Sequence, residues 1–328
     1  MSIQLQTQVT ISPSPKKITH DKYLLLLGSC FSEHIAEKLN RYHFNVCSNP
    51  TGTLYNPCSI ASALSRIISA QPYTREDIFY HQGLYKSWDH HSRFSHPDPD
   101  ITLQNMNDQL EKACQFYKKL DFLLLTPGTA SVFCLLENKR VVANCHKFPQ
   151  NNFHQTLLTP DLIVNTFSPI FEDLFDSSPS LNIVFSVSPV RYIQESLHKN
   201  QVSKSHLITA IYALEKRFSQ VCYFPAYEIM MDELRDYRFY NQDMIHPNET
   251  AISIIWEKFQ KAFLSEKAMS FIKDYTPVLL AREHRILYPE MDSTKAFALS
   301  QIKKIELLLS DYPEINFSED LRYFQSLL

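Results

Sequence analysis

The sequence predicts an α/β fold built on a parallel sheet, and three observations carry that prediction. Short apolar runs at Tyr23–Leu27, Phe122–Leu125 and Leu181–Val187 read as buried strands. Each is followed at once by turn-forming residues: Gly28-Ser29, Thr126-Pro127-Gly128 and Ser188-Pro189. Stretches with helical spacing at 58–69, 102–119, 160–175 and 203–219 lie between or beside these strands. Strands alternating with helices of this length imply a sheet covered on both faces, joined by right-handed crossovers.

Taken in order, residues 1–20 are polar and carry Pro13 and Pro15, which suits an N-terminal arm or an edge strand. The first strand stops at Gly28, and Phe31, Ile35, Ala36 and Leu39 give the next segment a helical stripe. Cys222–Phe224 is a further short strand, followed by Pro225 and a helix-like stretch, Tyr227–Leu234. A polar loop over Arg235–Asn248 leads into a helix over Glu249–Leu264, and another amphipathic helix falls near 294–309. The sequence shows neither an internal repeat nor a low-complexity linker. The expected organisation is an arm over 1–20, an α/β domain over 21–265 and a C-terminal helical extension over 266–328.

Composition narrows the function. Only four of the 328 residues are glycine, where a usual frequency of about 7% would give roughly 23. No G-x-G-x-x-G or G-x-x-x-x-G-K-[ST] can be written from Gly28, Gly52, Gly83 and Gly128, which excludes dinucleotide-fingerprint and P-loop enzymes. A net charge of −3, from 32 basic and 35 acidic residues, provides no footprint for nucleic acid or anionic lipid. The first twenty residues lack a signal-type apolar core, and no apolar stretch reaches spanning length, so a cytoplasmic protein is expected. Seven cysteines without a C-x-x-C pair suit reduced thiols rather than a disulfide framework.

In open parallel sheets ligands bind beyond the carboxyl ends of the strands, so the loops after strands are the places to look for chemistry. Gly28-Ser29-Cys30-Phe31-Ser32 puts two nucleophile types just after a strand and at the start of a helix, where backbone N–H groups favour an anion. The plainer reading makes Ser29 a helix cap and Cys30 a small buried hydrophobe. Asp243-Met244-Ile245-His246 places a carboxylate three residues before a histidine, a spacing that lets the carboxylate fix the tautomer of a general base; equally, Asp243 caps a turn while His246 packs. Gly128-Thr129-Ala130 is suited to an oxyanion hole, and Asn144 or His146, near a later strand end, to donation to a substrate oxygen, against a plain turn and satisfied buried groups. Trp88-Asp89-His90-His91-Ser92 raises a metal question. Adjacent histidines point to opposite sides of a strand and no H-x-x-x-H supports them, so neither metal nor cofactor is expected.

Gly28-Ser29-Cys30-Phe31-Ser32 closely resembles the signature that names the GSCFA family of bacterial proteins, which end it in alanine. Further blocks are similar to that family in the expected order: Asn49 to Pro57, Thr126 to Ala130, Val142 to Lys147, Ser186 to Val190 and Tyr223 to Pro247. The GSCFA family in turn looks like a divergent branch of the SGNH (GDSL-like) hydrolases. That resemblance implies a flavodoxin-like three-layer α/β/α sandwich and an acyl-ester hydrolase or acyltransferase without cofactor. The implied substrate is a small-molecule or carbohydrate acyl compound. It also implies a serine in the first block, an oxyanion glycine in the second, matched by Gly52, an oxyanion asparagine in the third, and an Asp-x-x-His pair matched by Asp243 and His246. Two blocks depart from the pattern: Gly128-Thr129 lacks the following asparagine, and Gly28-Ser29-Cys30 puts a thiol where the superfamily has its serine hydroxyl. Either Cys30 attacks, as the better nucleophile near neutral pH, or a one-residue shift gives the role to Ser29. A non-catalytic carbohydrate- or acyl-binding module on the same fold is the alternative. Oligomeric state is open.

Overall fold

The computed structural model describes residues 6–193 and 196–328, so the first five residues of the expected arm lie outside the described residues. The chain opens its first crossover with β1 (Tyr23–Gly28), α1 (Cys30–Arg41) and β2 (Asn45–Ser48). Next come α2 (Pro57–Ser69), a hairpin of β3 (Phe79–His81) and β4 (Leu84–Lys86), α3 (Pro99–Tyr117) and β5 (Leu120–Thr126). Three of the helices start on a cap followed by proline. Asn56, Asp98 and Thr159 each accept a backbone N–H of the first turn, and Pro57, Pro99 and Pro160 occupy the position where a missing N–H costs nothing.

After β5 the chain makes a small antiparallel sheet from β6 (Ser131–Leu135), β7 (Val141–Val142) and β8 (Phe153–Leu157), in the order β7-β6-β8. It then alternates through α4 (Pro160–Ser177), β9 (Asn182–Phe185), α5 (Leu197–Arg217) and β10 (Val221–Tyr223). One short turn of helix, α6 (Ala226–Glu228), runs into a π-helical stretch over Ile229–Glu233, which is where the sequence predicts a single helix. The helices that follow are α7 (Glu249–Phe263), α8 (Glu266–Glu283), α9 (Asp292–Asp311) and α10 (Ser318–Gln325).

The main sheet is five-stranded and parallel, in the order β10-β9-β5-β1-β2, and is flanked by helices in an α/β/α arrangement, as the sequence predicts. Leu25, Leu27, Leu123, Leu125, Ile183 and Phe185 point to one face and share a core with Phe167 and Phe171 of α4 and Leu207 and Ile211 of α5. Leu24, Leu26, Phe122, Leu124 and Val184, on the other face, are just as buried. Burial on both faces is why the strands read as continuous apolar runs rather than alternating ones. The strand order reverses between β1 and β5: the chain leaves β1 towards β2 on one side and β5 towards β9 on the other. That reversal opens a crevice at the carboxyl ends of these two strands, the usual ligand position in open α/β sheets.

Two compact units divide the chain: residues up to Ser12 with Tyr23–Ala36 and Val46–Lys258, and Pro13–Lys22 with Glu37–Asn45 and Phe259–Leu328. Residues 13–22 belong with the C-terminal helices because Ser14 and Ile18 donate to the carbonyls of Ala262 and Phe263, at 2.8 Å each. At the centre of this second unit Asp320 is fully buried and accepts hydrogen bonds from Tyr275 Oη at 2.9 Å and Arg282 Nη1 at 2.8 Å, with His43 Nε2 at 3.2 Å. Burial alone would raise its carboxyl, but these partners outweigh it and hold it below the usual range. Among the described residues no helix is long and apolar enough to cross a membrane.

The glycines differ in what they do. At Gly28 φ is +152°, and a Cβ would lie 2.4 Å from the carbonyl oxygen of Thr126, its partner across the β1–β5 ladder. At Gly52 φ is +89°, and a Cβ would lie 2.2 Å from Cβ of His91. Gly83, at φ +79°, has open space around it at the tip of the β3–β4 hairpin. Gly28→Ala and Gly52→Ala therefore meet both a backbone and a packing obstacle and should each cost on the order of 3 kcal/mol or more. Gly83→Ala carries only the conformational penalty, about 1–2 kcal/mol. Urea unfolding of the three variants measures this, and equal losses at all three positions would contradict it.

Candidate active site

At the end of β1 the chain is pinned from three sides. Gly28 N–H donates to Asn49 Oδ1 at 2.8 Å, Gly28 C=O accepts from Leu54 N–H at 2.8 Å, and Ser29 N–H donates to Thr126 C=O at 3.0 Å. These bonds turn the backbone so that α1 begins on Cys30. Ser29 is 1% exposed and its hydroxyl has no hydrogen-bond partner, whereas Cys30 is half-buried. Burial pushes the Cys30 thiol above its ordinary pKa, and the Glu33 carboxylate adds to this. The amides of Phe31 and Cys30 and the Lys204 ammonium pull the other way without cancelling it.

Ser29 and Cys30 line a cavity of about 490 Å³ that also receives Thr53, Tyr55, Thr129, Asn144, Arg191 and His246. His246 is held by a tight loop. Asp243 Oδ1 accepts the amides of Ile245 and His246 at 2.9 and 3.0 Å, and Asp243 Oδ2 lies 2.6 Å from His246 Nδ1. Those two amides and the imidazole pull the Asp243 carboxyl down to about 2, so it is ionised throughout the neutral range. With Nδ1 engaged, Nε2 is the nitrogen left for a reacting proton. Met244 adopts the left-handed region at φ 58°, which closes the loop between the two partners.

The structure brings Ser29, Cys30, Gly128, Thr129, Asn144 and His246 to one cavity, with Asp243 behind the histidine. It places Gly52 and His146 elsewhere. The amide of Gly52, expected as an oxyanion donor, is spent on Asn49 C=O at 2.8 Å in its own turn. His146 is 3% exposed, and both ring nitrogens are occupied, Nε2 by Ser87 C=O at 2.7 Å and Nδ1 by Ser92 Oγ at 3.3 Å. It braces the Ser87–Ser92 segment. Gly128 and Thr129 do face the cavity, yet both of their amides donate to Tyr55 C=O, at 2.8 and 3.0 Å. Asn144 gives one Nδ2 hydrogen to Ser92 Oγ at 3.2 Å, which leaves its second for another acceptor.

His90 and His91 do not act together. His90 is buried against the rings of Tyr73 and Phe94 with Nδ1 on Ser87 Oγ, and burial pulls it down to about 3, while His91 Nδ1 accepts Arg93 N–H. Among the described residues no group of three His, Cys, Asp or Glu is arranged to hold a metal.

Residues 23–259 match the model of the GSCFA family, and residues 277–328 match that of the GSCFA domain protein, C-terminal domain. The chain belongs to the GSCFA family. No curated protein shows a significant match to it. In this GSCFA chain Gly28 to Ser32 span the junction of β1 and α1, with Gly28 closing the strand and Cys30 opening the helix.

Two further residues of the GSCFA chain escape sequence reasoning. Lys204 of α5 is 1% exposed, and its ammonium donates to the carbonyls of Ser188 and Val190 at 2.6 and 3.0 Å. Both acceptors belong to residues that wall the cavity. Its signal was positional: Lys204 precedes Leu207, Ile211 and Leu214 on the apolar stripe of α5. Arg191 follows in the same post-strand loop and also lines the cavity.

Burial pulls Lys204 down to about 7. A base whose folded pKa lies below its unfolded value of about 10.4 costs stability in full below the folded pKa. That cost is relieved as pH rises between the two. The unfolding free energy of the wild type minus that of Lys204→Met should therefore increase between pH 7 and pH 9, by up to about 1.4 kcal/mol per pH unit. A difference that stays flat in urea titrations at pH 7, 8 and 9 would refute this reading of the buried ammonium.

Proposed function

We propose that this protein is an acyl-ester hydrolase or acyltransferase with Cys30 as nucleophile and His246 as general base. One observation carries the reading: His246, oriented by Asp243 at 2.6 Å, opens onto the same cavity as Cys30 at the start of α1. The five-stranded parallel sheet, with a nucleophile block after β1 and an Asp-x-x-His loop just before α7, also supports kinship with the SGNH/GDSL-like hydrolases.

The raised thiol pKa means that Cys30 rests protonated and must be deprotonated in the reaction step. His246 Nε2 takes the Cys30 proton as sulfur attacks the acyl carbonyl. The developing oxyanion is held by the Cys30 amide and the free Nδ2 hydrogen of Asn144. Collapse of the adduct breaks the acyl–oxygen bond, and His246 returns the proton to the departing alcohol. Water, or an acceptor alcohol in the transferase case, then attacks the Cys30 thioester with His246 again as base, which regenerates the thiol. Asp243 keeps Nδ1 protonated throughout and stabilises the imidazolium. Ser29 is the weaker candidate, because its hydroxyl is shielded from solvent.

The committed amides of Gly52, Gly128 and Thr129 favour a second reading, a binding module for an acyl or carbohydrate ligand in the same cavity. Kinetics separate the two. On p-nitrophenyl acetate, Cys30→Ala and His246→Ala should each lower kcat/KM by roughly 10³-fold or more, whereas Ser29→Ala should cost less than about tenfold. Activity indifferent to His246→Ala would sink the catalytic reading, as would Cys30 alkylation by iodoacetamide that is equally slow in wild type and His246→Ala.

A further inference from the structure

We infer that the cavity accepts acyl compounds that carry a carboxylate, and that Arg191 binds this group. The inference rests on the ester reading above and adds the class of substrate to it. Among the described residues that line the cavity there is no aspartate, glutamate or lysine, so Arg191 is its one permanently charged side chain. Nor does Arg191 form an ion pair with any described carboxylate.

The guanidinium is instead fixed by neutral groups. Its Cζ lies 4.6 Å from the centroid of the Tyr240 ring, and Nη2 donates to Met244 C=O. The Arg191 amide approaches Ile245 C=O at 3.5 Å, so side chain and backbone both abut the loop that carries His246. This leaves Nε buried without a hydrogen-bond partner. Nε is as shielded as the Ser29 hydroxyl, so a carboxylate entering the cavity would meet the accessible part of the guanidinium, where the full positive charge offers a charge-assisted bond. The remaining wall is apolar where Phe133, Val142, Val190 and Ile245 meet the cavity, a surface suited to the methylenes that separate a carboxylate from a reacting ester. Because Met244 lies two residues from His246, an anion on Arg191 is held at a fixed offset from the general base.

The test compares two esters of equal acyl length, 4-nitrophenyl hydrogen glutarate and 4-nitrophenyl pentanoate, with spontaneous hydrolysis subtracted. Wild type should show a kcat/KM at least tenfold higher for the glutarate ester. Arg191→Gln should bring the ratio near one, and Arg191→Lys should keep part of the preference. The ratio is the quantity to read, since loss of the brace on Met244 slows both esters together. A wild-type ratio near one, or a ratio unchanged in Arg191→Gln, overturns the inference. If neither ester is turned over, the hydrolase reading fails by itself and calorimetric titration with glutarate decides the anion site. Binding by wild type that weakens at least tenfold in Arg191→Gln supports it, and absence of binding by wild type overturns it.

Discussion

The close approach of β1 and β5 at their carboxyl ends is the constraint on which the site depends. Gly28 sits against Thr126 with no room for a Cβ, so the two strands that flank the reversal of strand order are drawn together just where the sheet would otherwise open. The next peptide continues the ladder, with Ser29 N–H on Thr126 C=O, and only then does the backbone turn into α1. The loop after β5 is held by the opposite bank. Gly128 and Thr129 both donate to Tyr55, and Tyr55 follows Leu54, which is bonded to Gly28. A side chain at position 28 would displace the start of α1 and the facing loop together.

This cross-bracing has a chemical consequence. Amides used to tie two loops together cannot also stabilise an oxyanion: those of Gly128 and Thr129 are both given to Tyr55 C=O, while that of Gly52 is spent within its own turn on Asn49 C=O. What remains on the cavity side is the start of α1, with the first-turn amides of Cys30 and Phe31, and the side-chain amide of Asn144. The site trades backbone donors for rigidity. Its ionisable groups are set by their surroundings: Cys30 is kept neutral by burial and by Glu33, and Asp243 is kept charged by two amides and the His246 imidazole.

Much of this was legible in the sequence because the main sheet is buried on both faces. Tyr23–Leu27, Phe122–Leu125 and Leu181–Val187 announce themselves as apolar runs, and the helical spacing at 58–69, 102–119 and 160–175 falls on α2, α3 and α4. The elements that escaped notice lack such signals. The β3 and β4 strands have three residues each, β8 is largely exposed and polar, and Pro277 interrupts the pattern of α8. At the site, Asp243 and His246 could be paired from their spacing, since three residues suffice to build the loop that joins them. The fate of His146 could not be foreseen, because Ser87 and Ser92, distant in sequence, take its ring, whereas Gly52 loses its amide to a local turn with Asn49 that the motif does not reveal.

The fold also sets which charges reach this cavity. Lys204 and Arg191 come from adjacent parts of one crossover, yet the fold uses them differently. Lys204 is driven inward by the apolar stripe of α5 and spends its ammonium on two carbonyls of the cavity wall, so it shapes the wall without presenting charge to a ligand. Arg191 leaves that wall at its rim, where stacking on Tyr240 and one bond to Met244 fix the guanidinium but satisfy only part of it. A cation that is immobilised yet incompletely satisfied is preorganised for an anion, since little side-chain entropy remains to be lost on binding. The same contacts join it to the Asp243–His246 loop, so that the guanidinium and the imidazole are positioned by one piece of backbone.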